Sequence, residues 1–166
     1  VAPEAAHVAE AAAAASAERG GFAGRYDLHV AVIGEGNFGK VRTATVRATG
    51  APRAVKSIPK ARTKAKSGAA KQEVAIMIRV DHPNLVTLCE AFEDDEFQHL
   101  VMEFCQGGDL LAWIRSAERK HIPEVAAAQA MQQILRAVNY LHRHRIAHRD
   151  VKADNCLLSG GGDHRA

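Results

Sequence analysis

Cysteine is scarce in this sequence: three residues, Cys89, Cys105 and Cys156, lie far apart and form no CxxC pair. That spacing excludes a disulfide framework and fits a reducing compartment, so a cytoplasmic setting is expected. No run comes near the ~18 consecutive apolar residues of a membrane-spanning helix. Residues 1–19 lack the leucine-rich centre of a secretory signal, and the chain opens on Val rather than Met. We therefore read it as a piece of something longer. Acidic residues are missing altogether between Lys40 and Lys71, where ten Lys or Arg fall. A block of one sign can mark a nucleic-acid surface, but no aromatic residue interleaves with this one, which argues against single-strand binding. A solvated loop face is the simpler reading, and neither nucleic acid nor membrane is expected as a partner.

What is present describes one domain of modest size. Of 78 hydrophobic residues in the 166, 32 are Ala, leaving 46 larger side chains for a core. Residues 1–20 are half Ala with almost nothing large to bury, and Gly20, Gly21 and Gly24 interrupt any helix there. From Tyr26 the pattern alternates: Leu28, Val30 and Val32 read as a strand ending in a glycine-rich turn. Val41–Val46 is β-branched and reads as a second strand, and Arg53–Ile58, stopped by Pro59, as a third. Glu73, Met77 and Val80 share one face of a following helix. Two further strands fit Leu85–Phe92 and Phe97–Phe104. The second half turns helical. Asp109 is placed to cap a helix running to Ser116, and Pro123, at a first helical position, starts a long one to about His144. Ala127, Met131, Ile134, Val138 and Leu141 form its expected apolar stripe. The fold class is therefore α+β, a five-stranded lobe with one helix followed by a helical part, joined near Phe104–Gly108.

Gly34-Glu35-Gly36-Asn37-Phe38-Gly39 matches GxGxxG. Such a loop lets backbone N–H groups approach phosphates, because residues without Cβ leave room. A dinucleotide turn needs a helix next and an acid about 20 residues on. Here a strand follows, and no Asp or Glu occurs between Glu35 and Glu73. A Walker loop needs GK[ST], which is absent. A glycine-rich strand–turn–strand remains, with Val41 two residues after the last glycine.

With Ala54-Val55-Lys56, Glu73 and the octet His148-Arg149-Asp150-Val151-Lys152-Ala153-Asp154-Asn155, the chain resembles the eukaryotic Ser/Thr protein kinases. The resemblance runs from about Tyr26 to Leu158. It implies a linker or disordered segment over 1–24, an N-lobe over 25–104 and a partial C-lobe over 105–166. It also implies ATP and Mg²⁺ as cofactors. Gly34, Gly36, Gly39 and Val41 would cover the nucleotide, and Lys56 would neutralise its phosphates while paired with Glu73. Asp150 would take the substrate hydroxyl proton, Lys152 would stabilise the phosphoryl group, and Asn155 would bind Mg²⁺ through a neutral oxygen.

Leu100–Leu110 resembles the family's hinge, with Met102 as gatekeeper and backbone groups of Glu103 and Cys105 meeting adenine. Ala54, Val41 and Leu157 would sandwich the base, with Asp109 near the ribose. Met77, Leu88 and His148 fall at the family's regulatory hydrophobic column, although ordinary core burial explains the first two equally. Asp109 and Asp154 resemble carboxylates that select protein substrates with Arg or Lys upstream of the target, while a helix cap is an equal reading of Asp109.

The wording around the hinge and Asp81-His82-Pro83-Asn84 is similar to calcium-dependent protein kinases, yet no EF-hand loop is present. His142, His144 and His148 suggest a metal tract, but the first two straddle opposite sides of a helix end and no Cys pair lies near. After Leu158 the family's Asp-Phe-Gly is expected; Gly160-Gly161-Gly162-Asp163 stands there instead, and neither Phe nor Gly follows Asp163. Two readings follow: a piece of a Ser/Thr kinase, inactive alone, or a catalytically inactive kinase-like module that binds nucleotide or a partner.

Overall fold

A computed structural model describes residues 21–36, 39–61, 75–117 and 122–160. The Ala-rich residues 1–20, the turn pair Asn37-Phe38 and Glu73 lie outside these. The described chain divides into two compact units, one made of residues up to Asp81 with Val86–Phe104, the other of His82–Leu85 with the residues from Cys105 onward.

The first unit is a five-stranded antiparallel sheet in the order β1-β2-β3-β5-β4. Its strands are β1 (Tyr26–Gly36), β2 (Gly39–Val46), β3 (Pro52–Pro59), β4 (Leu88–Glu93) and β5 (Phe97–Glu103). Side chains alternate between the two faces of each strand, and both faces are covered. On one, Ile58, Ala91 and Leu100 pack with Met77 and Ile78 of the helical residues 75–79. On the other, Tyr26, Ala44, Val55, Phe92 and Val101 form a second cluster with Phe22. Burial on both sides explains why apolar residues stand side by side at Ala54-Val55 of β3 and Leu100-Val101-Met102 of β5 instead of alternating with polar ones.

Three expectations are corrected here. The glycines at 20, 21 and 24 read as a break, yet Gly21–Arg25 forms a short helix, α1. It is held by tertiary contacts: the Phe22 ring stacks on His99 at 4.4 Å and lies 5.5 Å from Tyr26, while Arg25 pairs with Glu90 at 2.6 Å. The alternation in β1 does not deliver Val30 inward; it is 92% exposed. Between Leu28 and Val32 the strand carries two residues more than its partner, so the intervening side chains are turned out. Finally, β4 starts at Leu88 rather than Leu85, since His82–Leu85 is a turn closed by Leu85 N–H to His82 O at 3.0 Å.

The second unit is built on α2 (Leu110–Ser116) and α3 (Glu124–Arg143). Asp109 caps α2 as expected, its carboxylate accepting the Ala112 N–H at 2.7 Å. Pro123 stands one place earlier than expected, at the N-cap of α3, leaving Glu124 as the first helical residue. Along α3, Ala137 and Leu141 are buried, while Met131 of the expected stripe and Leu135 remain more than half exposed. Met131 sits instead at the rim of an apolar groove lined by Leu110, Ile114 and Ile134. His82–Leu85 belongs to this unit: Asn84 Nδ2 donates to Gln133 Oε1 at 3.1 Å, and the His82 ring lies 5.0 Å from Tyr140.

Candidate active site

In the first unit the register decides which residues share a face. Cross-strand partners point the same way. Lys56 pairs with Val41 on β2 and Leu100 on β5; Ala54 pairs with Thr43 and Met102; Gly34 pairs with Val41. Gly34, Val41, Ala54, Lys56 and Met102 thus occupy one face of four strands, although they span 69 positions of sequence. Lys56 is half-buried there, with its hydrocarbon stem among aliphatic neighbours.

The glycines divide by role. A Cβ on Gly39 would stand 2.2 Å from the Ser57 carbonyl oxygen, so the close approach of β2 to β3 requires glycine. A Cβ on Gly34 would meet nothing nearer than Val41 Cβ at 3.7 Å. Nothing in the fold itself requires glycine there, which is what a backbone cradle for a ligand would show. Gly36 pairs with Gly39 across the turn.

Sequence reasoning missed Ile33. The strand bulges between Val32 and Gly34, so Ile33 and Gly34 together oppose Val41. Bulges re-aim side chains beside sites, and Ile33 is left 50% exposed next to the glycine turn. An apolar residue immediately before the first glycine was the available signal.

Of the hinge residues, the Glu103 side chain is turned to the Thr87 N–H at 2.7 Å. Its own N–H donates to Thr87 O at 3.1 Å, which leaves the carbonyl as the backbone group to consider for a base. Met77 and Leu88 pack against the Ile58 cluster.

The second unit forms the loop that follows α3. The helix ends at His144, and Arg145, at φ 60°, takes the left-handed position beyond it. The Ile146 N–H then returns to Leu141 O at 2.9 Å and the Arg145 N–H to His142 O at 2.9 Å. This Schellman closure fixes where the next segment starts.

In that segment Arg149 is again left-handed, at φ 67°, a strained conformation for a residue with a Cβ. The Asp150 N–H donates to His148 Nδ1 at 3.3 Å. Asn155 Nδ2 donates to both the Asp150 carbonyl and Asp150 Oδ2 at 2.8 Å. Lys152 Nζ lies 3.1 Å from the same Oδ2. These contacts explain the five-residue spacing of Asp150 and Asn155: a 3₁₀ turn at Ala153–Asn155 bends the chain back so that Asn155 reaches Asp150. The Lys152 hydrogen bond, then that of Asn155, holds the Asp150 carboxyl below the usual range. It is therefore an anion at neutral pH, with Oδ2 engaged and Oδ1 turned to neither partner. Asn155 spends its amide nitrogen on Asp150, which leaves its oxygen for a hard cation.

A hydrogen-bonded clasp joins this loop's exit to the hinge. Asp109 and Leu157 form an antiparallel bridge. Gly107 N–H donates to Leu158 O, Leu158 N–H to Gly108 O and Leu110 N–H to Cys156 O, each at 2.8 Å. A Cβ on Gly107 would stand 2.6 Å from Leu158 Cβ, so glycine is required for this approach. Asp109 and Leu157 are thereby neighbours, and Leu157 stays 49% exposed. Cys105, just before the clasp, is partly buried. Asp109 itself has a definite occupation as the α2 cap.

Among the described residues no three His, Cys, Asp or Glu are grouped to hold a metal ion. No described helix is long and apolar enough to cross a membrane.

The model of the protein kinase domain family matches residues 28–165. CBL-interacting protein kinase 4 of Oryza sativa subsp. japonica is 40% identical over 143 residues, covering 84% of this chain and 31% of the relative. Calcium-dependent protein kinase 8 of Arabidopsis thaliana is 43% identical over 130 residues, covering 76% and 24%. Among solved structures, Rad53 1–466 in complex with AMP-PNP matches with a TM-score of 0.73 at 34% identity, over 84% of this chain and 36% of that one. The chain thus spans about a third or less of the length of these proteins.

Proposed function

This chain belongs to the protein kinase family, and from that premise we propose that it carries the ATP-handling and phosphoryl-transfer residues of a protein serine/threonine kinase. The observation that carries the reading is the Asp150–Lys152–Asn155 constellation. It is an anionic carboxylate held by two side chains on one oxygen, at the end of a loop with backbone strain at Arg149. Strain at such a position is characteristic of functional loops.

In this reading residues 25–104 are an N-lobe, apart from His82–Leu85, which group with the second unit, and residues 105–166 are a partial C-lobe; each supplies its own share of the residues. Gly34, Gly36 and Gly39 let backbone N–H groups meet phosphate oxygens, while Ile33, Val41, Ala54 and Met102 offer apolar surface to the base. Lys56, with Glu73 as its partner, balances phosphate charge. Glu103 and Cys105 contribute backbone groups to adenine, and Leu157 and Asp109 contribute the other apolar and ribose contacts.

Asp150 orients the substrate hydroxyl through Oδ1 and accepts its proton as the oxygen bonds to the γ-phosphorus, the bond from that phosphorus to the bridging oxygen breaks and ADP leaves. Lys152 stabilises charge on the transferring phosphoryl group. Magnesium accompanies the nucleotide, with Asn155 Oδ1 as the ligand this chain offers, and supplies charge neutralisation when bound.

Protein substrates with basic residues upstream of the target are part of the proposal, with Asp154 as the exposed carboxylate to meet them. Calcium regulation and a cytoplasmic setting are included on the strength of the calcium-dependent relatives and the three free thiols. The alternative is a module that binds nucleotide without turnover. Turnover of ATP on a Ser/Thr peptide, compared between the chain extended through the rest of the kinase domain and its Asp150→Asn and Lys56→Met variants, separates the two. The kinase reading expects each variant to lose about 10²-fold or more in rate. AMP-PNP binding with turnover no higher than in Asp150→Asn supports the module instead.

A further inference from the structure

The sheet face opposite Lys56 carries a polar chain that the phosphate chemistry does not use. Ser57 and His99 are buried, at 8% and 6% exposure, among side chains that are otherwise apolar. They are direct cross-strand partners on β3 and β5. Ser57 Oγ lies 2.9 Å from His99 Nδ1, and His99 Nε2 lies 2.9 Å from Asp94 Oδ2. Asp94 is itself clamped by its other oxygen, which accepts the N–H groups of Glu96 at 2.9 Å and Phe97 at 2.6 Å. Phe22 lies flat on the imidazole.

We propose that Asp94–His99–Ser57 is a register pin whose function is to position Lys56, making Ser57 and His99 positioning residues for the phosphate contact. The inference rests on Lys56 being that contact. The reasoning is geometric. The other partners along this strand pair, Val55 with Val101 and Lys56 with Leu100, would pack passably in other registers. A slip of one residue would turn Lys56 to the Phe92 face, because side chains alternate. A slip of two would keep its face but carry it about 6.6 Å along the strand, away from Gly34 and Val41. Either slip would part the Ser57 hydroxyl from His99 and leave a buried imidazole short of a partner, and the slip of two would set that hydroxyl against Phe97 or Val101, which cannot bond it. A buried hydrogen-bonded pair in an apolar field therefore selects one register, as single buried polar residues do elsewhere. Because Asp94 holds the β4–β5 turn, the pin ties the Lys56 strand to a fixed point of the sheet.

The test uses the full chain and two probes, AMP-PNP and adenosine, whose affinity ratio reads the phosphate contact alone. Ser57→Ala and the double variant Ser57→Ala/His99→Phe are compared with wild type, with Ser57→Thr as the conservative rescue and Lys56→Met as the reference. The double variant replaces both polar partners by apolar groups, a change that is often nearly neutral for folding. The expected result is an AMP-PNP preference reduced by roughly tenfold in both pin variants, within the loss that a group misplaced by about 1 Å can cause. Adenosine affinity stays near wild type, and Ser57→Thr restores the preference. If Lys56→Met abolishes the preference while both pin variants keep it, the pin is overturned. If Lys56→Met leaves the preference intact, the assignment of Lys56 fails first, and the pin falls with it. Equal loss of adenosine and AMP-PNP binding would show a structural role only and would also overturn the proposal.

Discussion

Replacing Gly39 by Ala tests the link between sheet packing and the site most directly. The new methyl would stand 2.2 Å from Ser57 O, 3.0 Å from Ser57 C and 3.2 Å from Ile58 Cα, all backbone atoms of β3. No side chain can swing away, so the strands themselves must separate by about 0.8 Å to reach even the closest tolerable contact. The strain falls on the ladder where Lys40 meets Ser57 and Val41 meets Lys56. Overpacking of this kind costs about 1–3 kcal/mol, and in a unit of this size each kcal/mol lowers Tm by about 4–8 °C.

Gly34→Ala is the matched control. Its Cβ meets Val41 at an ordinary 3.7 Å and its backbone is not left-handed. Its stability should hold or rise by about 0.4–1 kcal/mol, since the unfolded chain loses freedom. AMP-PNP affinity should nonetheless fall, because the methyl occupies the place of an approaching phosphate. Calorimetric melting of both variants, with AMP-PNP titrations on each, reads the two effects separately. A Gly39→Ala protein as stable as wild type would refute the packing argument. A Gly34→Ala protein that binds AMP-PNP as tightly as wild type would refute the cradle.

Other outcomes follow from single contacts. Asp150 sits below the usual carboxylate range chiefly through Lys152, so activity is present above that value and lost as pH falls through it. Lys152→Ala should move the acid limb of kcat/KM, normalised to its own plateau, up toward about pH 4; an unmoved limb contradicts the contact. Burial, followed by the hydrogen bond to Glu90, pushes the Tyr26 hydroxyl up to about 12. The folded state therefore holds this proton more tightly than the unfolded one, whose value is about 10. Its contribution to stability is complete below pH 10 and disappears as pH climbs toward 12. Tyr26→Phe should flatten that window in melts taken from pH 9 to 12. Asp109→Ala should cost about 1 kcal/mol through the lost cap and leave the basic preference on a peptide array unchanged, whereas Asp154→Ala should weaken it.

Much of this architecture is visible in the residue pattern because local chemistry and tertiary packing agree. The strand run Arg53–Ile58, the cap at Asp109 and the octet ending in Asn155 each fold as their composition suggests. The disagreements have a common cause in contacts distant in sequence. Phe22 forms a helical turn among glycines because His99, 77 positions away, gives its ring a surface. Val30 faces outward because of a bulge, and a bulge leaves no signature in an alternating sequence. The Ser57–His99 pair was equally hidden, since a serine and a histidine 42 positions apart reveal nothing until the ladder aligns them. In the candidate site, motif spacing singled out Lys56, Asp150 and Asn155 as candidates, and the structure brings the last two together. That the sheet requires glycine at 39 but not at 34 is visible only in the interatomic distances.

The clasp between Gly107–Leu110 and Cys156–Leu158 has a mechanical consequence. Hydrogen bonds run in both directions across it, and Gly107 allows no slack. The hinge segment and the exit of the Asp150 loop are therefore a single lever. A displacement of Leu157 is carried to Asp109, the cap of α2, and the reverse holds equally. Occupancy at Leu157 would be communicated to the turn that holds Asn155 on Asp150 without any rearrangement of the core. The segment that presents Leu157 and the turn that holds the Asp150 carboxylate share one piece of backbone.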